Sequence, residues 1–150
     1  MAEPLGYLTG VAASEVVKDW RSLVIVPIPL HSERLIERGF NQAELLAAGV
    51  ARVLGRPMWT GALERSRATA TQSTLSATER WRNMEGAFVA PLPGQVAHRR
   101  FLLIDDVYTT GATISAAAAA LMRVGAAEVR FATVAVAVAM TDVLDWAGDQ

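Results

Sequence analysis

The sequence predicts an α/β domain built on a twisted parallel sheet with helices on its faces. Apolar runs at residues 23–26, 101–104 and 129–138 alternate with segments of helical periodicity, which is the pattern of a parallel sheet. The run at 101–104 has no polar residue, as expected of a central strand buried on both faces. With 150 residues, of which 52% are hydrophobic and 19% charged, the chain suffices for one domain with a sizeable core.

The elements between these runs follow from periodicity and from helix start and stop signals. Asn41 is predicted to cap the start of a helix that ends at Gly55, and Gly125 is predicted to end an alanine-rich helix. Helices are therefore predicted over residues 11–20, 42–55 and 114–125. Further strands are predicted at 57–64 and 86–89, a loop at 31–40 and a turn at 91–94.

The segment 65–83 differs from the rest of the chain. It is polar, rich in serine and threonine, and without a strong period, apart from one short helix predicted to begin at Ser76. Long loops of this kind in compact domains are usually functional or disordered. We expect this loop to be mobile in the empty protein and to become ordered over a bound ligand.

The composition excludes several kinds of chemistry. The chain has no cysteine and only two histidines, His31 and His98. Disulfides, thiol nucleophiles, thiolate metal sites and a histidine-rich zinc centre are therefore excluded. A formal net charge of −1 gives no general attraction to nucleic acid or to an anionic membrane.

The positive charge is concentrated in one part of the chain. Residues 34–100 hold ten arginines against five glutamates, a formal +5, and Lys18 is the only lysine. The planar arginine fork suits phosphate groups, so this span favours an anionic ligand over an ordinary solvated surface. The first residues lack the basic segment of a signal peptide, and the uncharged stretch 131–140 is too short to cross a bilayer. We therefore expect one cytoplasmic domain over residues 1–150, without a membrane partner.

The most informative stretch is FLLIDDVYTTGAT at residues 101–113. Asp105 and Asp106 follow a buried strand, at the edge of a parallel sheet where ligands bind. The turn at 109–113 opens a helix, and Gly111 lets its backbone N–H groups approach an anion closely. Acids that accept from a diol beside a phosphate cradle describe a ribose 5-phosphate pocket. The alternatives are a capped helix with two exposed aspartates and a receiver domain, whose acids lie earlier in the chain.

This stretch resembles the phosphoribosyl diphosphate signature of type I phosphoribosyltransferases. Residues 27–47 and 65–88 also resemble the ComF/GntX family of amidophosphoribosyltransferase-like proteins. The pattern in the second block is carried by Arg65, Arg67, Thr69, Gln72, Leu75, Ser76, Arg80 and Asn83. Longer members often begin with a cysteine-rich zinc ribbon, which is absent here. Thr109 stands where hypoxanthine-guanine enzymes have an aspartate, which disfavours a 6-oxopurine acceptor.

The resemblance implies a role for each group. Asp105 and Asp106 would hold the 2- and 3-hydroxyls of phosphoribosyl diphosphate. Arg67 and Gln72 would act with them in catalysis when the 65–83 loop closes. The 5-phosphate would be bound by Thr109, Thr110, Gly111, Ala112 and Thr113, and the diphosphate by His31, Arg34 and Arg38. The implied cofactor is Mg²⁺, held mainly through the ligand and water, with Asp105 or Asp106 as the candidate protein ligands.

Three classes of function follow from the resemblance. The first is an active phosphoribosyltransferase that displaces pyrophosphate from C1 with a nitrogen nucleophile, whose identity the sequence does not define. The second is a non-catalytic regulator that binds phosphoribosyl diphosphate. The third is a competence protein that works with DNA-uptake proteins or single-stranded DNA. A second copy of the chain, forming a homodimer, is a further expected partner.

Overall fold

The computed structural model describes residues 2–66, 76–106 and 111–134 of the chain. The strands are β1 (Val24–Pro27), β2 (Glu64–Arg65), β3 (Phe88–Val89), β4 (Arg100–Asp105) and β5 (Glu128–Thr133). The helices are α1 (Ala2–Val16), α2 (Ser32–Arg38), α3 (Gln42–Leu54), α4 (Ala77–Met84), α5 (Pro93–Val96) and α6 (Ala112–Arg123). The predicted α/β class with a parallel sheet flanked by helices is confirmed.

The main sheet has β4 at its centre, with β1 and β5 parallel to it on either side. Beyond β1, the chain after α3 adds one parallel bridge between Ile25 and Met58. The Ile25 N–H donates to the Pro57 carbonyl and its carbonyl accepts from the Trp59 N–H, both at 2.9 Å. The segment that follows β1 in the chain therefore lies on one side of β1, at Met58, and the later strand β4 lies on its other side. This makes the gap between β1 and β4 the switch point, where open α/β sheets bind ligands.

Helices cover both faces of the sheet because alternate residues of β4 point to opposite sides. Phe101 and Leu103 pack with α6, whereas Leu102 and Ile104 pack with α1 and α3. All four side chains are fully buried. Helices α1 and α3 touch through their backbones at two glycines, where a Cβ on Gly49 would lie 2.7 Å from the Cα of a glycine in α1. The fold therefore has three layers, and β4 runs through the core between them.

Several predicted boundaries are confirmed in atomic detail. The Asn41 side chain accepts from the Ala43 N–H at 3.1 Å, and α3 ends at Gly55. Helix α4 starts after Ser76, whose hydroxyl accepts from the Glu79 N–H while the Glu79 carboxylate accepts from the Ser76 N–H. This reciprocal pair is a capping box. At these two helix starts the short polar side chain was a correct signal, whereas Ser14, which also suggested a helix start, lies inside α1.

Other predicted boundaries were wrong. The first helix spans Ala2–Val16 rather than 11–20, because Pro4 lies in its first turn, where proline is tolerated, and its glycines pack on α3. The region 57–64 is not one strand. It makes the single bridge at Met58, turns, and pairs with β3 only from Glu64. Part of the predicted turn at 91–94 begins the short helix α5.

The predicted loop at 31–40 contains α2, and the predicted last strand is shorter than expected. Helix α2 begins after His31 and ends at Gly39, whose φ of +78° favours glycine. That glycine was the missed stop signal. Strand β5 ends at Thr133, and residues 135–138 of the predicted strand lie outside the described residues. None of the helices described here has the length and apolarity needed to span a membrane.

Candidate functional site

The carboxyl ends of β1 and β4 meet at one edge of the sheet. The Ile28 N–H donates to the Ile104 carbonyl at 2.9 Å, which carries the β1–β4 ladder one step past β1. The Asn41 amide donates to the Ile28 carbonyl at 3.0 Å. Asn41 therefore fastens the start of α3 to the end of β1, directly beside the point where Asp105 ends β4. The sequence placed the acidic pair here, and this part of the prediction is consistent with the fold.

Two adjacent carboxylates occupy the end of β4. Asp105 and Asp106 are both partly buried, and the Asp106 N–H donates to Asp105 Oδ1 at 2.9 Å. Burial and the neighbouring Asp106 carboxyl group together raise the pKa of Asp105 to about 8, and burial is the larger of the two causes. Neither carboxylate forms an ion pair within the residues that the structure describes. Such a pair is set to receive hydroxyl donors or a cation from a ligand.

Arg65 is the basic residue whose charge reaches this pair. Its guanidinium lies 5.4 Å from the Phe88 ring centroid, and its Nη2 donates to the Met84 sulfur at 3.5 Å. The Arg65 charge lowers the pKa of Asp105, although less than burial and Asp106 raise it. The first arginine of the polar loop is therefore anchored on β2, β3 and α4 while its charge acts on the acidic pair. Arg65 belongs to the sequence motif, but no role was predicted for it.

The predicted phosphate turn is described only at its end. Gly111 caps α6 with a φ of +80°, a conformation that favours glycine, and no side chain caps this helix. The first-turn N–H groups of α6 are thus the kind of donors that bind an anion. Ala112 is buried and Thr113 is half-buried. The other predicted site residues Thr109, Thr110, Arg67 and Gln72 lie outside the described residues.

The loop after β1 holds the three residues expected to face the diphosphate. His31 is half-buried and caps α2, with its Nδ1 accepting from the Glu33 N–H at 3.3 Å. This bond leaves Nε2 as the protonated nitrogen of the neutral ring. Arg34 is half-buried, whereas Arg38 is exposed at the end of α2. All three belong to the segment that follows the carboxyl end of β1, and the acidic pair follows the carboxyl end of the neighbouring strand β4.

A cleft of about 220 Å³ opens next to the acidic pair, on the side of α1 and α3. Its lining residues come from three helices and the ends of two strands: Leu5, Arg38, Gln42, Leu46, Asp106 and Val134. Arg38 and Asp106 thus share one cavity. No sequence pattern indicated this cleft. Gln42 could have been found, because it follows the Asn41 cap and so had to lie at the binding edge.

The acidic pair is a reasonable partner for Mg²⁺. Carboxylate oxygens are the hard ligands that this ion prefers, and Mg²⁺ usually has one or two carboxylates completed by phosphate oxygens and water. Among the described residues, no group of three or more histidines, cysteines or acids could hold a metal ion. Asp105 and Asp106 therefore fit a Mg²⁺ ion that arrives with a phosphorylated ligand.

These features define a class of protein. A parallel sheet with an acidic pair and a glycine-capped helix at its switch point is the frame of an α/β domain that binds a phosphorylated sugar or nucleotide. The comparison with protein families makes the class specific. The phosphoribosyl transferase domain family matches residues 12–145, and the chain belongs to this family. The expected type I phosphoribosyltransferase fold is confirmed.

The predicted likeness to ComF proteins is also confirmed. The chain is 46% identical over 106 residues to the DNA utilization protein YhgH of Salmonella typhi. It is 37% identical over 107 residues to competence protein F of Haemophilus influenzae and 39% identical over 114 residues to competence protein ComFC of Bacillus subtilis. These alignments cover 71%, 71% and 76% of this chain but only 46%, 47% and 44% of the relatives. The chain thus spans less than half the length of these curated relatives.

Solved structures of low sequence identity share the fold. The glutamine phosphoribosylpyrophosphate amidotransferase from B. subtilis, complexed with ADP and GMP, superimposes with a TM-score of 0.56 at 20% identity. The match covers 87% of this chain and 25% of that one. A structure described as the allosteric regulatory enzyme of purine biosynthesis gives a TM-score of 0.55 at 21% identity. This likeness supports the fold.

Proposed function

We propose that this protein is a phosphoribosyltransferase that binds phosphoribosyl diphosphate with Mg²⁺ at the β1–β4 switch point. The observation that carries the proposal is the juxtaposition of the Asp105–Asp106 pair with the glycine-capped start of α6. The carboxylates can accept hydrogen bonds from the 2- and 3-hydroxyls of a ribose 5-phosphate, and the N–H groups at the start of α6 can bind its phosphate. Arg34, in the loop after β1, would supply positive charge for the diphosphate on the same edge.

In the proposed reaction, a nitrogen lone pair of the acceptor forms a bond to C1 of the ribose. The bond between C1 and the diphosphate oxygen breaks, and its electron pair leaves with the diphosphate. The nitrogen then releases its proton to solvent. The charge that grows on the leaving group would be neutralised by Mg²⁺ when this ion is bound.

The residues of this chain would hold the sugar and stabilise the leaving group. Asp105 and Asp106 would accept hydrogen bonds from the 2- and 3-hydroxyls, which fixes C1 relative to the loop after β1. His31 can donate from Nε2, and Arg34 can add charge, toward diphosphate oxygens. Removing one such preorganised donor typically costs about 2.7–4 kcal/mol of transition-state stabilisation. Arg67 and Gln72 would join the site from the 65–83 loop, as the family resemblance implies.

Ligand-dependent stability tests the binding half of the proposal. Mg²⁺ with phosphoribosyl diphosphate should raise the unfolding temperature, by a stabilisation of about 2.7 kcal/mol at a hundredfold excess over Kd. Asp106→Asn keeps the side-chain shape and should abolish this gain. Gly111→Val should also abolish it, but its positive φ adds about 1–2 kcal/mol of strain, so Asp106→Asn is the cleaner variant. No stabilisation of the wild type at millimolar ligand would contradict the proposal.

Pyrophosphate release tests the catalytic half. The wild type should release pyrophosphate from phosphoribosyl diphosphate only when a suitable nitrogen acceptor is added, and Asp106→Asn should release little. Asp19→Asn is the matched control, because Asp19 pairs with Arg130 at the outer strand β5. It should release pyrophosphate at the wild-type rate.

A second candidate function is supported by the relatives named competence proteins and DNA utilization proteins. In this alternative, the domain binds phosphoribosyl diphosphate as a regulatory ligand and acts with DNA-uptake proteins or single-stranded DNA. Ligand stabilisation without pyrophosphate release across a broad panel of nitrogen acceptors would favour this alternative. Salt-dependent binding of single-stranded DNA would then show whether nucleic acid is a direct partner.

A further inference from the structure

The cleft beside Asp106 lies at the position that the acceptor substrate would occupy in the proposed reaction. Helix α6 and its capping glycine pack on one face of the sheet, whereas the cleft lies against α1 and α3 on the other. The Asp105–Asp106 pair lies between the two. A ribose that spans this pair with its 5-phosphate at α6 directs C1, at the far side of its ring, toward the cleft. This step rests on the proposed function.

The cleft has an apolar part and a polar part. Leu5, Leu46 and Val134 supply the apolar wall, and Leu46 is almost completely buried. Arg38 and Gln42, at the facing ends of α2 and α3, supply a guanidinium and an amide. Arg38 has no ion-pair partner within the part of the chain that the structure describes. The apolar wall suits a flat ring, and the unpaired guanidinium suits an anionic group on it.

The charges also fix the orientation of such a compound. An anionic group would be repelled by Asp106 and attracted by Arg38, so it must lie at the helix end of the cleft. The neutral nitrogen end then faces Asp106 and C1. The size of the cleft favours a one-ring compound, because a cavity of about 150 Å³ accommodates benzene and drug-sized ligands need roughly 300 Å³ or more. The volume of about 220 Å³ lies between these values.

We propose that this cleft is the acceptor site and that its acceptor is a one-ring nitrogen compound carrying an anionic group such as a carboxylate. The ring would pack on Leu5, Leu46 and Val134. The anionic group would bind the Arg38 guanidinium, with the Gln42 amide donating a further hydrogen bond. The nitrogen forms the new bond to C1 as the C1–diphosphate bond breaks, with the atom and proton balance given above. Arg38 is thereby assigned to the acceptor rather than to the diphosphate.

Matched pairs of small molecules test the ligand class on the full chain. Anthranilate and nicotinate are one-ring carboxylates, and 2-aminobenzamide and nicotinamide are their neutral amides; adenine is a two-ring base. Binding is measured by ligand-observed NMR, with and without Mg²⁺ and phosphoribosyl diphosphate. At least one carboxylate should bind about tenfold more tightly than its amide, and adenine should bind more weakly than that carboxylate. Equal binding of each carboxylate and its amide, or no binding of any probe, overturns the inference.

Variants test the residues. Arg38→Met keeps the apolar stem and should weaken carboxylate binding about tenfold, while stabilisation by Mg²⁺ and phosphoribosyl diphosphate remains. Gln42→Leu should weaken it by a smaller factor, and it serves as the second variant if Arg38→Met folds poorly. Arg123→Met, at the far end of α6, is the matched control and should bind as the wild type does.

The outcomes separate this inference from the proposed function. If Arg38→Met loses the stabilisation by phosphoribosyl diphosphate, Arg38 holds the diphosphate and the acceptor assignment is overturned. If the wild type is stabilised by phosphoribosyl diphosphate but no carboxylate binds, the inference fails while the proposed function stands. If the wild type shows no such stabilisation, the proposed function fails, and carboxylate binding that depends on Arg38 still identifies the cleft as an anion site.

Discussion

Two aspartates at opposite ends of the sheet have opposite electrostatic surroundings. Asp19, after α1, is exposed and receives Arg130 from β5, with Nη2 donating to its Oδ2 at 2.9 Å. This hydrogen bond lowers the pKa of Asp19 to about 2. Asp105, at the end of β4, is partly buried beside a second carboxyl group, and burial raises its pKa to about 8. Asp19 is thus paired with an arginine of the same chain, whereas the nearest charged neighbour of Asp105 is a second aspartate.

The two regions differ in how the charge of the aspartate is balanced. Around Asp19, Arg130 also donates to the Val16 carbonyl at 2.7 Å and lies 4.3 Å from the Trp20 ring centroid, so one side chain ties α1 to β5. The charges there are satisfied by the protein itself. At Asp105, a partly buried acidic pair is a cost to the empty fold. A group that costs stability without a ligand is typical of a binding site, whereas the Asp19 region is a structural contact.

The largest expected effect is that of replacing the Asp105 carboxyl group. Asp105→Asn should make the empty protein more stable at pH 7 by on the order of 1–3 kcal/mol, because folding no longer requires a buried carboxyl group to take up a proton. It should also abolish stabilisation by Mg²⁺ and phosphoribosyl diphosphate. Chemical denaturation with and without ligand measures both quantities. If Asp105→Asn destabilises the empty protein instead, the acidic pair is a structural feature and the contrast with Asp19 disappears.

The two aspartates should also give opposite pH dependences. Between the unfolded pKa of about 4 and the folded pKa of about 8, Asp105 binds a proton only in the folded protein. Its contribution to stability is therefore lost progressively as pH rises from about 4 to about 8, by at most about 1.4 kcal/mol per pH unit. Asp19 is ionised in the folded protein down to about pH 2. Its contribution is present above about pH 4 and is lost as pH falls toward 2.

Denaturation midpoints across pH 2–9 measure these slopes. Asp105→Asn should flatten the fall between about pH 4 and 8 and leave the profile below pH 4 unchanged. Asp19→Asn should do the reverse. Because the diol acceptor is the ionised carboxylate, the affinity for phosphoribosyl diphosphate should rise as pH approaches 8. A ligand affinity that falls with pH over this range would contradict the assigned role of Asp105.

A smaller effect is expected at Arg130. Arg130→Met removes the ion pair with Asp19 and the hydrogen bond to the Val16 carbonyl, so the free energy of unfolding should fall while the ligand-induced gain stays unchanged. The pKa of Asp19, followed by NMR titration, should return toward its ordinary value near 4. An altered ligand response would mean that the two ends of the sheet are coupled.

The smallest effect is expected at Arg65. Its charge lowers the pKa of Asp105 as the weakest of several influences. Arg65→Met keeps packing against Phe88 and should shift the upper end of the stability fall, near pH 8, slightly to higher pH. Arg52→Met, on an exposed position of α3, is the control and should leave that profile in place. A downward shift would show that Arg65 acts on Asp105 through packing rather than through charge.

Much of the fold could be predicted from sequence because its signals are local. The buried strand β4, the Asn41 and Ser76 caps and the stop at Gly125 each depend on neighbouring residues. The extent of α1 could not be predicted in this way. Its glycines are poor helix formers on their own, but they allow α1 to pack closely on α3, Gly6 against Gly49 and Gly10 against Val53.

The candidate site likewise has parts that local sequence predicts and parts that depend on tertiary packing. The Asp105–Asp106 pair and Gly111 lie within one short motif, so the sequence identified them together. The cleft could not be found in this way, because Leu5, Gln42 and Val134 are far apart in the chain and meet only in the folded sheet. The pKa of Asp105 depends equally on tertiary burial. Its value could not be foreseen from the sequence, although the adjacent acid gave the direction.

The central claim is that the acidic pair at the end of β4 binds phosphoribosyl diphosphate, and calorimetric titration measures this directly. Phosphoribosyl diphosphate is titrated into the wild type, Asp106→Asn and Asp19→Asn, each with Mg²⁺ at pH 8. We predict saturable one-site binding to the wild type and to Asp19→Asn with equal affinity, and loss of measurable binding to Asp106→Asn. Equal binding to all three proteins, or no binding to the wild type, would contradict the claim.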